Sequence, residues 1–145
     1  MCAYILCSVN LKVGELSSVF FFGFVMTQAT QDMAAHIRWE NHIPDKRHYL
    51  TVDETLQWAD PVQGGVPIVT HLHGAEVQSS SDGHPEAWFT PSGETGPTFL
   101  GQNYTYPNNQ PPALLWYHDH TIGITRLNVV GGLAGMYIIT SEQEK

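Results

Sequence analysis

Four of the chain's eight histidines stand in two His-x-His pairs. The first closes the run Thr70-His71-Leu72-His73-Gly74, and the second closes Ala113-Leu114-Leu115-Trp116-Tyr117-His118-Asp119-His120. Residues i and i+2 of a β-strand point to one face, roughly 6.5–7 Å apart. If the two runs lie in facing or adjacent strands, four imidazoles converge on one patch. Neutral imidazole is the commonest metal-ligating side chain and suits copper, zinc, iron and nickel. A single histidine in an apolar strand is more often a hydrogen-bonded core or edge residue. Two pairs, each ending an apolar run, favour a metal site over that reading.

Three chemistries could use such a patch. A zinc site could be built from one pair plus a third ligand, with Glu76 or Asp82 of the following loop as ligand or base and an open position for an activated water. That arrangement leaves one pair unused. A copper cluster is the second option, because the two seats of a pair can serve neighbouring ions and two pairs invite a multinuclear site. The third is a passive metal-binding or structural role without turnover.

The elements that must carry these residues read as short strands between turns. Thirteen glycines and nine prolines in 145 residues favour an all-β chain. His36–Glu40 reads as a half-buried strand ending at the Asn41–Pro44 turn, and Asp45–Gln63 as a connecting loop. Val66–His73 reads as a strand stopping at Gly74, with Pro67 near its start because proline cannot donate to a ladder. Glu76–Gly101, rich in Ser, Gly and Pro, is a long loop whose Trp88-Phe89 step argues for order. Tyr104–Tyr106 is a short strand, and Ala113–Tyr117 another. Thr121–Val130 fits a short helix or irregular turn broken at Gly131-Gly132. Leu133–Thr140 closes the pattern, which suggests a β-sandwich of Greek-key type.

Fourteen acidic against six basic residues, net −8, argue against nucleic acid or an anionic membrane surface as partner. The two cysteines, Cys2 and Cys7, both stand at the extreme N-terminus, which excludes a disulfide framework and argues against a thiolate-bound metal near the histidines. Residues 1–28 differ in texture and are set apart as an unassigned apolar segment. Val19–Met26 is too short to span a bilayer, and the scarcity of positive charge ahead of it argues against a secretory leader. A buried strand and sequence foreign to the native gene product are the other readings. The compartment stays open.

The two pairs, in the forms His71-Leu72-His73-Gly74 and Trp116-Tyr117-His118-Asp119-His120, resemble the first two copper signatures of the multicopper oxidases. Ser81-Asp82-Gly83-His84-Pro85-Glu86-Ala87-Trp88-Phe89, Glu94-Thr95-Gly96-Pro97, Thr125-Arg126-Leu127-Asn128-Val129 and Gly132–Ile139 are similar to the bacterial spore-coat laccases within that family. The resemblance covers about Ala35 to Glu144. It implies a cupredoxin-like Greek-key β-sandwich over residues 29–145, the first and an incomplete one of several such domains. It implies a copper-dependent oxidoreductase that takes electrons from a reducing small molecule and reduces dioxygen to water. His71 matches a type 2 copper ligand, and His73, His118 and His120 match type 3 ligands. His73 and His118 would share one ion, and His120 would hold the other. Asp82 matches an acidic position that helps supply protons. Asp119, pointing to the opposite face of its strand, reads as a buried strut. His36, His42, His48 and His84 match no signature and read as surface or loop residues.

The family's later signatures, which supply the type 1 copper and the remaining cluster ligands, are missing here. The expectation is therefore a domain that provides half of the trinuclear ligands, binds copper weakly alone and needs further cupredoxin domains in cis or in trans. A non-catalytic copper-binding module or fragment is the alternative, and a zinc hydrolase-like domain a more distant one.

Overall fold

The computed structural model describes residues 10–11, 19–21, 24–43, 48, 50–53, 55–56 and 65–141. Most of the loop expected over Asp45–Gln63 and the charged residues after Ser141 lie outside them. Among the described residues, eight strands form two sheets. One has the order β1 (Asn10–Leu11), β4 (Ala35–Arg38), β6 (Asn103–Tyr106). The other has the order β2 (Val19–Phe21), β3 (Phe24–Thr30), β8 (Ala134–Thr140), β7 (Ala113–Asp119), β5 (Thr70–His73). The single helix among the described residues is α1 (Thr125–Val130).

Alternation within the strands builds the sandwich. In β4, Ala35 and Ile37 are buried while His36 and Arg38 are exposed, and in β6 Tyr104 and Tyr106 alternate inward with Asn103 and Thr105 outward. From the other sheet Leu72, Leu115, Tyr117, Tyr137 and Ile139 face them, and all join one core cluster with Trp39, Ile68 and Phe89. Burying each such side chain is worth roughly 1.5–3 kcal/mol. The tyrosines bring hydroxyls that need partners. Trp39 Nε1–H donates to Tyr106 Oη at 3.3 Å, and Tyr137 Oη–H donates to Asn108 Oδ1 at 2.9 Å. Burial pushes the Tyr137 phenol up to about 12 and the Tyr106 phenol higher still.

Three elements differ from the sequence pattern. The strand expected over Val66–His73 pairs regularly only from Thr70. Pro67 has no N–H, and the Val69 N–H donates to the Asp119 carboxylate at 3.1 Å, so residues 66–69 form no regular ladder, and Ile68 makes an isolated bridge with Phe89. The helical reading of Thr121–Val130 holds for its second half. Finally, the boundary drawn after residue 28 falls inside β3, which pairs in parallel with β8 from Met26↔Met136 to Thr30↔Thr140. The apolar run ahead of it supplies β2 and the start of β3.

The segment Glu76–Gly101 is an ordered arm. It opens with a 3-10 turn at Ser79–Ser81 and folds back so that Phe89 exchanges backbone hydrogen bonds with Ile68 at 3.0 and 2.9 Å. Gln110 fastens its start, accepting from the Glu76 N–H at 2.8 Å and donating to the Gly74 carbonyl at 3.1 Å.

Candidate metal centre

Strands β5 and β7 are antiparallel neighbours, with His71 opposite His118 and His73 opposite Trp116. Leu72 and Thr70 are buried on the core side of β5, so His71 and His73 share the outer face of the sheet, beside His118. His120 follows β7, and its N–H donates to the Val69 carbonyl at 2.8 Å, which keeps it alongside the start of β5. All four rings gather. The His71 centroid lies 5.7 Å from His73, 5.5 Å from His118 and 4.6 Å from His120. His118 and His120 are 5.7 Å apart. One nitrogen each of His71, His73 and His118 lies within 4.8 Å of the other two, a grouping fit to hold an ion.

The hydrogen bonds behind the rings are specific. His71 Nδ1 meets the Asp82 carbonyl at 2.6 Å, His118 Nδ1 the Asp119 carbonyl at 2.7 Å, and His120 Nδ1 the Gly83 carbonyl at 2.8 Å. A carbonyl only accepts, so each of these rings carries its proton on Nδ1 and leaves Nε2 as a lone-pair donor. His73 is turned differently, with Nδ1 facing His118 Nε2 at 3.3 Å. Imidazole nitrogens bound at roughly 2.0–2.1 Å to one divalent ion at a near-tetrahedral angle lie about 3.3–3.4 Å apart. The two rings already stand at that separation.

Electrostatics disfavours charge on His118. Burial, with the nearby His71, His120 and His73 adding to it, holds the His118 pKa below the usual imidazole value despite the Asp119 carbonyl. Asp119 itself turns away from the rings. It is buried, and its carboxylate accepts from Val69 N–H, from Thr121 N–H at 2.9 Å and from Thr121 Oγ1–H at 2.9 Å. It thereby ties the end of β7 to the approach of β5, as the strut reading expects.

Asp82 stands at the edge of the cluster. Its carboxylate Oδ1 is 3.4 Å from His71 Nδ1 and its side chain is about half exposed, while its own carbonyl is the nearer acceptor. His36, His42 and His84 are exposed; His36 lies on β4 rather than in a loop. Three contributors had no such role in the sequence pattern: the Gly83 carbonyl, Thr121, and Trp116. The tryptophan lies on the histidine face, 4.3 Å from the His118 ring and stacked on His73 at 5.6 Å. The Asp-Gly turn was a readable signal for the first, and strand alternation, two residues ahead of His118, for the tryptophan; nothing local marks Thr121.

The sequence profile described as multicopper oxidase matches residues 65–144, more than half of the chain and the whole of this histidine patch. The chain belongs to the multicopper oxidase family. Among curated multicopper oxidases, the LPR1 homolog 1 of Oryza sativa subsp. japonica is 46% identical over 133 residues, covering 85% of this chain and 23% of that protein. The laccase of Bacillus subtilis (strain 168) is 46% identical over 113 residues, covering 76% of this chain and 22% of that one. The chain thus spans about a fifth of the length of these relatives. Among solved structures, a multi-copper oxidase from Pediococcus acidilactici superposes with a TM-score of 0.56 at 25% identity, over 81% of this chain and 19% of that one. A metallo-oxidase from Campylobacter jejuni gives 0.55 at 17% identity, over 88% and 24%. The cupredoxin-like, all-β architecture is thereby established.

Copper is the metal of a multicopper oxidase, and the donor set fits it. Four imidazoles, three with Nδ1 committed to carbonyls and one opposed to its neighbour at a shared-ion distance, are what a borderline-soft, nitrogen-seeking Cu(II) takes.

Proposed function

We propose that this chain is the domain of a laccase-type oxidase that contributes His71, His73, His118 and His120 to a multinuclear copper cluster. The observation that carries the reading is the His73 Nδ1–His118 Nε2 approach of 3.3 Å inside a group of four rings. We assign His73 and His118 to one type 3 ion, His120 to its partner and His71 to the type 2 ion. The bound cluster supplies stepwise electron transfer to dioxygen, which is reduced to water. The chain's own residues orient and insulate. The Asp82, Gly83 and Asp119 carbonyls hold protons at Nδ1 of three ligands, so that Nε2 stays free. Asp82, half exposed and 3.4 Å from His71, is placed to pass protons between solvent and the cluster's rim.

The outer face of the five-stranded sheet supports the need for further domains. Beside the histidines it carries Leu114, 66% exposed, and Trp116 and Met136, each more than a third exposed. Register places them side by side, Trp116 opposite Met136 and Leu114 opposite Ile138. The outward face of a sandwich sheet is ordinarily polar, and an apolar one that also bears unshared metal donors is a docking surface. We assign it to another cupredoxin domain carrying the remaining ligands, with the reducing substrate handled outside this chain.

Copper titration of the metal-free chain, read by electron paramagnetic resonance and metal analysis, tests the assignment. We expect nitrogen-ligated Cu(II) that is lost in the His73→Ala and His118→Ala variants. Retention of zinc in preference to copper, or copper binding indifferent to all four histidines, would overturn it.

A further inference from the structure

We propose that Gly83 is a positioning residue for both histidine pairs: lacking a Cβ, it lets one turn press against β5 and present two successive carbonyls to His71 and His120. The inference rests on the copper reading of these rings but concerns how the apo chain holds them. The two acceptors are adjacent in sequence, Asp82 O at 2.6 Å from His71 Nδ1 and Gly83 O at 2.8 Å from His120 Nδ1. One donor comes from the β5 pair and the other from the pair ending β7, and the two rings are stacked at 4.6 Å and 27°. A single short turn therefore sets the tautomer and tilt of a ligand from each pair.

Only glycine permits that approach. Its φ is +76°, a conformation that side-chain-bearing residues rarely adopt. A Cβ there would lie 1.9 Å from the Thr70 carbonyl oxygen, 2.6 Å from its carbon and 3.0 Å from the His71 Cα. All three are main-chain atoms of β5, so no side-chain rotation relieves the clash and the turn itself must lift. The preceding residues fix the turn from the other side. Buried Ser81 accepts the Thr105 N–H at 2.9 Å through Oγ, and its own N–H donates to the Gln78 carbonyl at 2.8 Å. His118 provides an internal reference, because its Nδ1 partner is the carbonyl of Asp119 and does not depend on the turn.

The role of the main chain is separable from that of the Asp82 side chain. Asp82→Ala keeps the Asp82 carbonyl, whereas Gly83→Ala displaces both carbonyls together. Long-range proton–nitrogen spectra of the imidazoles, recorded on the metal-free 145-residue chain at mildly alkaline pH, read the tautomers directly. In the native chain His71, His118 and His120 should show protonated Nδ1 and bare Nε2. Gly83→Ala should release His71 and His120 into mixed tautomers while His118 is unchanged, and should lower Cu(II) affinity by about tenfold or more. Asp82→Ala should leave all three tautomers in place. Should Gly83→Ala unfold the chain, as its amide spectrum would show, Ser81→Ala serves as the milder variant and should loosen the same two rings. Nε2–H at His71 or His120 in the native chain, or equal loss with Asp82→Ala, overturns the proposal. Native tautomers as stated with no copper affinity would refute the copper reading instead and leave the positioning role standing.

Discussion

Asp119 lies between His118 and His120 in sequence yet spends its carboxylate on the backbone. Two buried N–H groups, of Val69 and Thr121, depend on it. Leaving a buried donor unpaired costs about 1–3 kcal/mol each, so Asp119→Ala should destabilise the chain by roughly 2–4 kcal/mol in urea unfolding, before any metal is added. Burial raises the Asp119 pKa to about 6. Its protonated form is thus favoured by folding, and that contribution is fully present below the ordinary carboxylate range and fades as pH rises through about 6. His118 runs the other way. With its folded pKa held below 6.5, the unfolded chain binds the proton first, and stability falls as pH drops below 6.5. The difference between the native chain and His118→Gln isolates this effect, since Asp119 acts in both. We expect the urea midpoint of the native chain to fall more steeply than that of His118→Gln between neutral pH and about pH 5.

The elements are held in place by polar side chains at their junctions. Asn108, buried and at φ +59°, donates through Nδ2 to the Met33 carbonyl at 2.7 Å and accepts from the Tyr137 hydroxyl at 2.9 Å. It joins the β3–β4 turn to β8 across the end of the sandwich. Asn108→Ala should cost about 2–3 kcal/mol in thermal or denaturant unfolding, from two lost hydrogen bonds and a conformation alanine disfavours. Adding Tyr137→Phe should cost less in that background than alone, because the hydroxyl has already lost its acceptor. Element type was legible from alternation in β4, β6 and β8. The lateness of β5 was not, because the hydrogen bond that takes the Val69 N–H out of the ladder comes from Asp119, 50 residues away.

For the molecule as a whole, the outer sheet face is the feature that water tolerates least. Leu114 and Met136 touch solvent without serving the core. Replacing both by lysine should reduce self-association of the isolated chain in sedimentation while shifting unfolding stability by less than about 0.5 kcal/mol per site. If the face docks another cupredoxin domain as proposed, the same pair of substitutions in a multidomain relative carrying this face should weaken that docking and lower the copper retained, a loss readable by metal analysis.

The amino-acid order by itself determined the ligand candidates, because His-x-His on a strand puts both imidazoles on one face whatever surrounds them. It indicated the sandwich class through short strands between turn clusters, and the family through the resemblance of the runs around the two pairs to known copper signatures. It also placed Asp119 away from those imidazoles by the same alternation. Only the tertiary structure decided that β5 and β7 are neighbours in a register that sets His71 against His118. It alone decided that β3 crosses into the sheet beside β8, and that the Asp82-Gly83 main chain stands behind two rings from different pairs. Those facts rest on backbone hydrogen bonds between residues far apart in sequence. Side-chain pattern carries no record of which carbonyl a given N–H will find.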